Sequence, residues 1–107
     1  MKNIAFIVNP ISGTKSKSRL TKLIRESLDL QQYAPTVVIT EYAGHATQLA
    51  QQFALQDYYA VVAVGGDGTI NEVINGIKDS GMESFDKVKV GLISAGSGND
   101  FARGLGI

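Results

Sequence analysis

The chain has no cysteine and no tryptophan, only two prolines and one histidine, and no excess of either charge, with ten basic residues against ten acidic ones. Without cysteine there is no disulfide framework and no thiolate metal centre, which fits a reducing compartment. The single histidine, His45, makes neither a metal cluster nor a nucleophilic triad, and it reads as a surface residue at a helix start. Balanced charge leaves no global field to draw the chain to nucleic acid or anionic lipid, so no nucleic-acid partner is expected and any such affinity must be local. No apolar stretch approaches the roughly 18 residues that a membrane-spanning helix requires. Met1-Lys2-Asn3 runs straight into an apolar strand without a small-residue cleavage site, so no signal peptide is expected and the expected location is the cytoplasm. What remains is 107 residues, 44% of them hydrophobic, which suits one domain with a modest core.

Short apolar, β-branched runs alternate with helical patterns. Ile4 to Val8, Thr36 to Thr40 (after a break at Pro35), Ala60 to Val64 and Val88 to Ile93 read as strands. Between them lie three helical patterns. The first, capped by Ser16 or Ser18, has Leu20, Leu23, Ile24 and Leu28 on its apolar face. The second, opened by Gly44, carries Ala46, Leu49, Ala50, Phe53 and Ala54; the third runs from Thr69 to about Lys78. A short last helix is expected at Phe101 to Leu105. Strand–helix alternation implies an α/β fold, a three-layer doubly wound and mainly parallel sheet with helices on both faces. In such sheets ligands bind beyond the carboxyl ends of the strands. There the tips of the first, third and fourth strands carry three polar, glycine-bearing loops: Asn9 to Gly13, Gly65 to Thr69, and Ala95 to Asp100.

The loop after the third strand is the most informative. Gly65, Gly66 and Gly68 can take φ > 0 and have no Cβ, so an anion can approach their N–H groups. The helix that follows adds unpaired N–H groups and the positive end of its dipole. Thr69 reads as its N-cap, with Glu72 closing a capping box and Val73, Ile74 and Ile77 on the buried face. This is the pattern of a phosphate cradle, although it matches neither G-x-G-x-x-G nor G-x-x-x-x-G-K-[ST]. Asp67 repels a phosphate unless a cation or a hydroxyl lies between, so a metal-nucleotide or an acceptor hydroxyl is expected beside it. Lys15, Lys17, Arg19, Lys22 and Arg25 form a basic run that reads as an ordinary solvated helix face.

Gly65-Gly66-Asp67-Gly68-Thr69-Ile70-Asn71-Glu72-Val73 resembles the nucleotide-binding signature of the diacylglycerol kinase catalytic-domain family, which includes bacterial lipid kinases and is related to sphingosine kinases. Asn9-Pro10-Ile11-Ser12-Gly13 resembles that family's N-P-x-S-G motif. Gly96-Ser97-Gly98-Asn99-Asp100-Phe101-Ala102-Arg103 resembles G-T-x-N-D-F-A-R, with Ser97 in place of the usual Thr and Ser94 where Pro is common. The G-G-D-G-T core also occurs in NAD kinases, and the N-D-F-A-R element favours the lipid branch.

The resemblance implies the N-terminal nucleotide-binding domain of a lipid kinase over residues 1–107, of the NAD kinase/diacylglycerol kinase-like fold. ATP would be held by Asn9, Ser12, Gly13, Thr40, Gly65, Gly66, Asp67, Gly68, Thr69, Asn71, Glu72, Ser97 and Asn99, with magnesium neutralising the triphosphate. Asp67 and Asp100 would be the catalytic candidates, Asp100 also being a natural N-cap. The second, mostly β domain that carries the family's lipid pocket and magnesium-binding acids would lie beyond Ile107. The 107 residues alone are therefore expected to bind nucleotide weakly at best and not to turn over. Other implied properties are a lipid acceptor at the membrane surface, a peripheral position at the inner membrane face and a self-association left open. Two alternatives stand beside this reading: an NAD kinase-like enzyme with a soluble acceptor, and a non-catalytic binding or assembly module.

Overall fold

The computed structural model describes residues 1–9, 17–81 and 87–94. Four strands form one parallel sheet in the order β2-β1-β3-β4. They are β1 (Lys2–Val8), β2 (Tyr33–Ile39), β3 (Ala60–Gly65) and β4 (Lys89–Ser94), separated by the helices α1 (Lys17–Ser27), α2 (His45–Leu55) and α3 (Asp67–Asp79). Ile4 to Val8 and Ala60 to Gly65 are buried throughout, as the two central strands of a doubly covered sheet must be. One face packs Phe6, Val8, Val62 and Val64 against Ile24 of α1 and Leu28 just after it. The other packs Ala5, Ile7, Val61 and Ala63 against α2 and α3, through Ala50, Phe53, Val73 and Ile77. The expected three-layer α/β architecture is therefore present, with α1 on one side and α2 and α3 on the other. Lys22 and Arg25 of the basic run are exposed.

Several local expectations require correction. Pro35 does not break β2, which begins two residues before it. β2 is an edge strand, and Lys2 N–H donates to Gln32 O while Thr40 N–H donates to Val8 O. Parallel ladders alternate by two residues, so the even-numbered residues of β2 turn their N–H groups toward β1 and Pro35 has no bond to lose there. Ile74 is only half-buried, whereas Val73 and Ile77 are fully enclosed, so the core face of α3 is narrower than its apolar pattern. Ile77→Ala is accordingly expected to cost about 2–5 kcal/mol in urea unfolding, and Ile74→Ala clearly less. The short helix expected at Phe101 to Leu105 and the capping residue Ser16 lie outside the described residues.

The strand order places a topological switch point between β1 and β3. From β1 the chain moves outward to β2, and from β3 it moves the other way to β4. The helices that follow β1 and β3, α1 and α3, lie on opposite faces of the sheet, the arrangement that opens a crevice at the carboxyl ends of the two strands.

Candidate functional site

That crevice is built by two residues 60 positions apart. Asn9 leaves β1 with its backbone N–H donated to Val64 O at 2.9 Å, and its side-chain Nδ2 donates to Thr69 Oγ1 at 3.0 Å. Thr69 is 3% exposed and is the buried polar residue of the described core, so its hydroxyl is a structural fixture. Gly65 explains how the two come so close. A Cβ built on Gly65 would lie 2.7 Å from Thr69 Oγ1 and 3.2 Å from Asn9 Cβ.

The structure corrects the expected capping. α3 begins at Asp67, with Gly66 as N-cap and no side-chain cap bond. Thr69 is thus the third residue of the helix, and its hydroxyl serves Asn9 instead of capping α3. Glu72 lies farther along, and its Oε1 accepts the Gly44 N–H at 3.0 Å. The glycines correct a second expectation. Among the described residues only Gly44 and Gly81 have positive φ among the glycines, and Gly66 sits at φ −92°, ψ −170°, extended backbone open to any residue. Of the three glycines, Gly65 is required by close packing, whereas a Cβ on Gly66 or Gly68 would meet nothing within 4 Å.

Beside this bridge is an open cavity of about 300 Å³. It is lined by Asn9, by Thr69 and Glu72 of α3, by Thr40, Glu41, Tyr42 and Ala43 of the β2–α2 loop, and by Ala46 of α2. Asp67 and Asn71 are exposed on the first turns of α3. A carboxylate at the first position of a helix is favoured by the dipole and leaves the remaining N–H groups free to point outward. Of the residues named from sequence, Asn9, Thr40, Gly65, Gly66, Asp67, Gly68, Thr69, Asn71 and Glu72 all lie at or beside the carboxyl ends of β1, β2 and β3. Ser12, Gly13, Ser97, Asn99 and Asp100 lie outside the described residues. β4 ends at Ser94, in register with Gly65.

Sequence reasoning missed the loop between β2 and α2. His45, expected at the surface, is half-buried. It stacks on Tyr42 with ring centroids 4.4 Å apart, and its Nδ1 accepts the Glu41 N–H at 3.0 Å. Tyr42 in turn donates its hydroxyl to Gln48 Oε1 at 2.7 Å. The signal was a glycine immediately before a helical pattern, Gly44, whose φ of 89° is the turn that aims this loop at the cavity.

A doubly wound α/β domain with a glycine-lined helix start and a ligand-sized cavity at its switch point is the class of protein that fold and site define. The particular family follows from comparison: the chain belongs to the diacylglycerol kinase catalytic domain family, whose model matches residues 3–107. A diacylglycerol kinase of Bacillus subtilis (strain 168) is 36% identical over 107 residues, which is all of this chain and 34% of that protein. One of Staphylococcus haemolyticus (strain JCSC1435) is 38% identical over 99 residues, 92% of this chain and 29% of that one. The crystal structure of a diacylglycerol kinase from Bacillus anthracis str. Sterne superposes with a TM-score of 0.67 at 28% identity, covering 99% of this chain and 37% of that chain. The chain thus spans about a third of the length of the relatives it matches. No described helix is long and apolar enough to cross a membrane.

Proposed function

We propose that this chain is the nucleotide-binding part of an ATP-dependent lipid kinase, in which the γ-phosphoryl group of ATP passes to the hydroxyl of a diacylglycerol-like acceptor. The observation that carries the reading is the freedom around Gly66 and Gly68. Gly68 is the second residue of α3, where glycine still costs part of the roughly 1 kcal/mol that it costs relative to alanine in a helix interior. No atom of the described chain demands that cost, because a side chain there would point into open space. A ligand that approaches the backbone N–H groups closely would demand it, and at a helix start that ligand is an anion. A triphosphate fits this cradle.

The chain's own residues then have distinct tasks. The N–H groups of the first turn of α3 bind phosphate oxygens, and the Asn9–Thr69 bridge holds that turn against β1. Thr40 and the loop after it face the remainder of the nucleotide. Asp67 is the exposed carboxylate closest to the cradle. At 4 Å a carboxylate and a phosphate repel by about 4 kcal/mol at an effective dielectric of 20. A magnesium ion on the phosphates, or the acceptor hydroxyl, has to stand between them. Magnesium commonly uses one or two carboxylates together with substrate phosphates, so Asp67 fits the single-carboxylate share of such a site. Among the described residues no group of three acidic or histidine side chains forms a ready cation cage. Magnesium, when bound with ATP, supplies neutralisation of the charge that phosphoryl transfer spreads over the γ-phosphoryl oxygens. The family membership favours a lipid acceptor and, with it, a position at the inner face of the cytoplasmic membrane.

Titration of the chain with ADP, followed by amide chemical shifts, is expected to move Gly66, Gly68, Thr69 and Asn9 first. Movement confined to the opposite end of the sheet would overturn the reading. Gly68→Ala is expected to leave thermal stability unchanged or slightly raised while weakening ADP about tenfold, a loss of roughly 1.4 kcal/mol. Unchanged affinity in that variant would remove the argument from the glycine. In the intact enzyme, Asp67→Asn is expected to lower kcat about 10²-fold or more in an assay with labelled ATP and diacylglycerol.

A further inference from the structure

Glu72 belongs by sequence to the glycine-loop motif, but its bonds point elsewhere. It is half-buried, and its Oε1 accepts the backbone N–H of Gly44 at 3.0 Å. Its backbone carbonyl accepts the Thr47 hydroxyl, also at 3.0 Å. Gly44 is the N-cap of α2 and has no side chain with which to cap that helix or tie itself down. Thr69 and Glu72 are three positions apart and therefore share a face of α3. Along that face α3 grips the tip of β1 through Thr69 and the start of α2 through Glu72.

We infer that Glu72 is a positioning residue: its carboxylate fastens the β2–α2 loop to α3 and so sets the width of the cavity between Thr40 and Thr69. The inference rests on the nucleotide reading of that cavity. The loop is tied at its base to β1, by Thr40 N–H to Val8 O at 2.8 Å, and along its own length by Glu41 N–H to His45 Nδ1 at 3.0 Å. Neither bond reaches α3. The Gly44–Glu72 bond does, across a separation of 28 residues. A carboxylate acceptor makes it stronger than an ordinary amide bond, and a left-handed glycine keeps the N–H aimed at it. Glutamate is thereby engaged with protein, and a second role as a direct partner of ribose or phosphate is not needed to explain its place in the motif.

The test uses the 107-residue chain with Glu72→Ala and Glu72→Gln, after circular dichroism has shown that both melt cooperatively. Amide hydrogen exchange at Gly44 is read without ligand, and ADP affinity is read by calorimetry. In Glu72→Ala, Gly44 exchange is expected to rise, and ADP affinity to fall, each about tenfold. Glu72→Gln keeps an Oε1 acceptor and is expected to stay within about threefold of the parent in both. Weaker ADP binding in Glu72→Ala with Gly44 exchange unmoved would make Glu72 a direct ligand and overturn the inference. Faster exchange with affinity unmoved would overturn it as well, because the loop would not then set the cavity. A parent chain that binds no ADP defeats the nucleotide reading itself. The Gly44 exchange then still decides whether the bond positions the loop.

Discussion

Gly65→Ala is expected to damage stability and site together, lowering the unfolding free energy by about 2–3 kcal/mol and weakening ADP by tenfold or more. The added methyl would stand 2.7 Å from Thr69 Oγ1 and 3.0 Å from Thr69 Cβ. Thr69 is 3% exposed and branched at Cβ, so it cannot rotate out of the way without displacing core neighbours. The cheapest escape moves Thr69 off Asn9, which breaks the bridge across the switch point. Urea unfolding and calorimetry with ADP would measure the two effects. The contrast with Gly68→Ala is the sharper result, since glycines three positions apart are expected to respond oppositely in stability. Equal responses would mean that the loop is an ordinary turn.

Gly76→Ala should be the most destabilising of the conservative helix substitutions, by about 3 kcal/mol. In an exposed helix interior the same change gains close to 1 kcal/mol, so propensity alone predicts the wrong sign. Gly76 is buried in α3 where it crosses α2, and a Cβ there would lie 2.2 Å from the Thr47 carbonyl oxygen and 2.9 Å from Ala50 Cβ. A backbone oxygen cannot swing aside as a side-chain terminus can. Either α2 and α3 separate along their contact, or α3 shifts on the sheet. Both routes disturb the neighbouring Thr47–Glu72 and Gly44–Glu72 bonds, so Gly76→Ala is also expected to speed Gly44 exchange. A melting temperature equal to that of the parent would show that α2 and α3 do not pack closely at this crossing.

The three-layer fold was legible because its signals are local and strong. Short β-branched runs bounded by turn residues favour strands, and the apolar spacing in α1, α2 and α3 favours helices. The site was legible to the extent that it is written in short contiguous motifs. Asn9 and the stretch from Gly65 to Thr69 meet in space because parallel strands deliver their following loops to one edge. Pro35 was misread since its effect depends on which strand of the sheet carries it, and strand order is not a local property. His45 was misread for a similar reason: its neighbours Tyr42 and Glu41 engage it only after the loop has turned at Gly44.

Residue chemistry by itself decided that this protein is a balanced, cysteine-free α/β domain with glycine-bearing loops at the carboxyl ends of its strands, because composition and periodicity act residue by residue. Only the folded chain decided what each glycine and polar side chain is for. Gly65 and Gly76 are packing requirements, Gly66 and Gly68 are open ground, Thr69 serves Asn9 rather than its own helix, and Glu72 serves α2. Those assignments turn on contacts of a few ångströms between segments far apart in sequence, and such contacts exist only once the sheet has been wound and its layers closed.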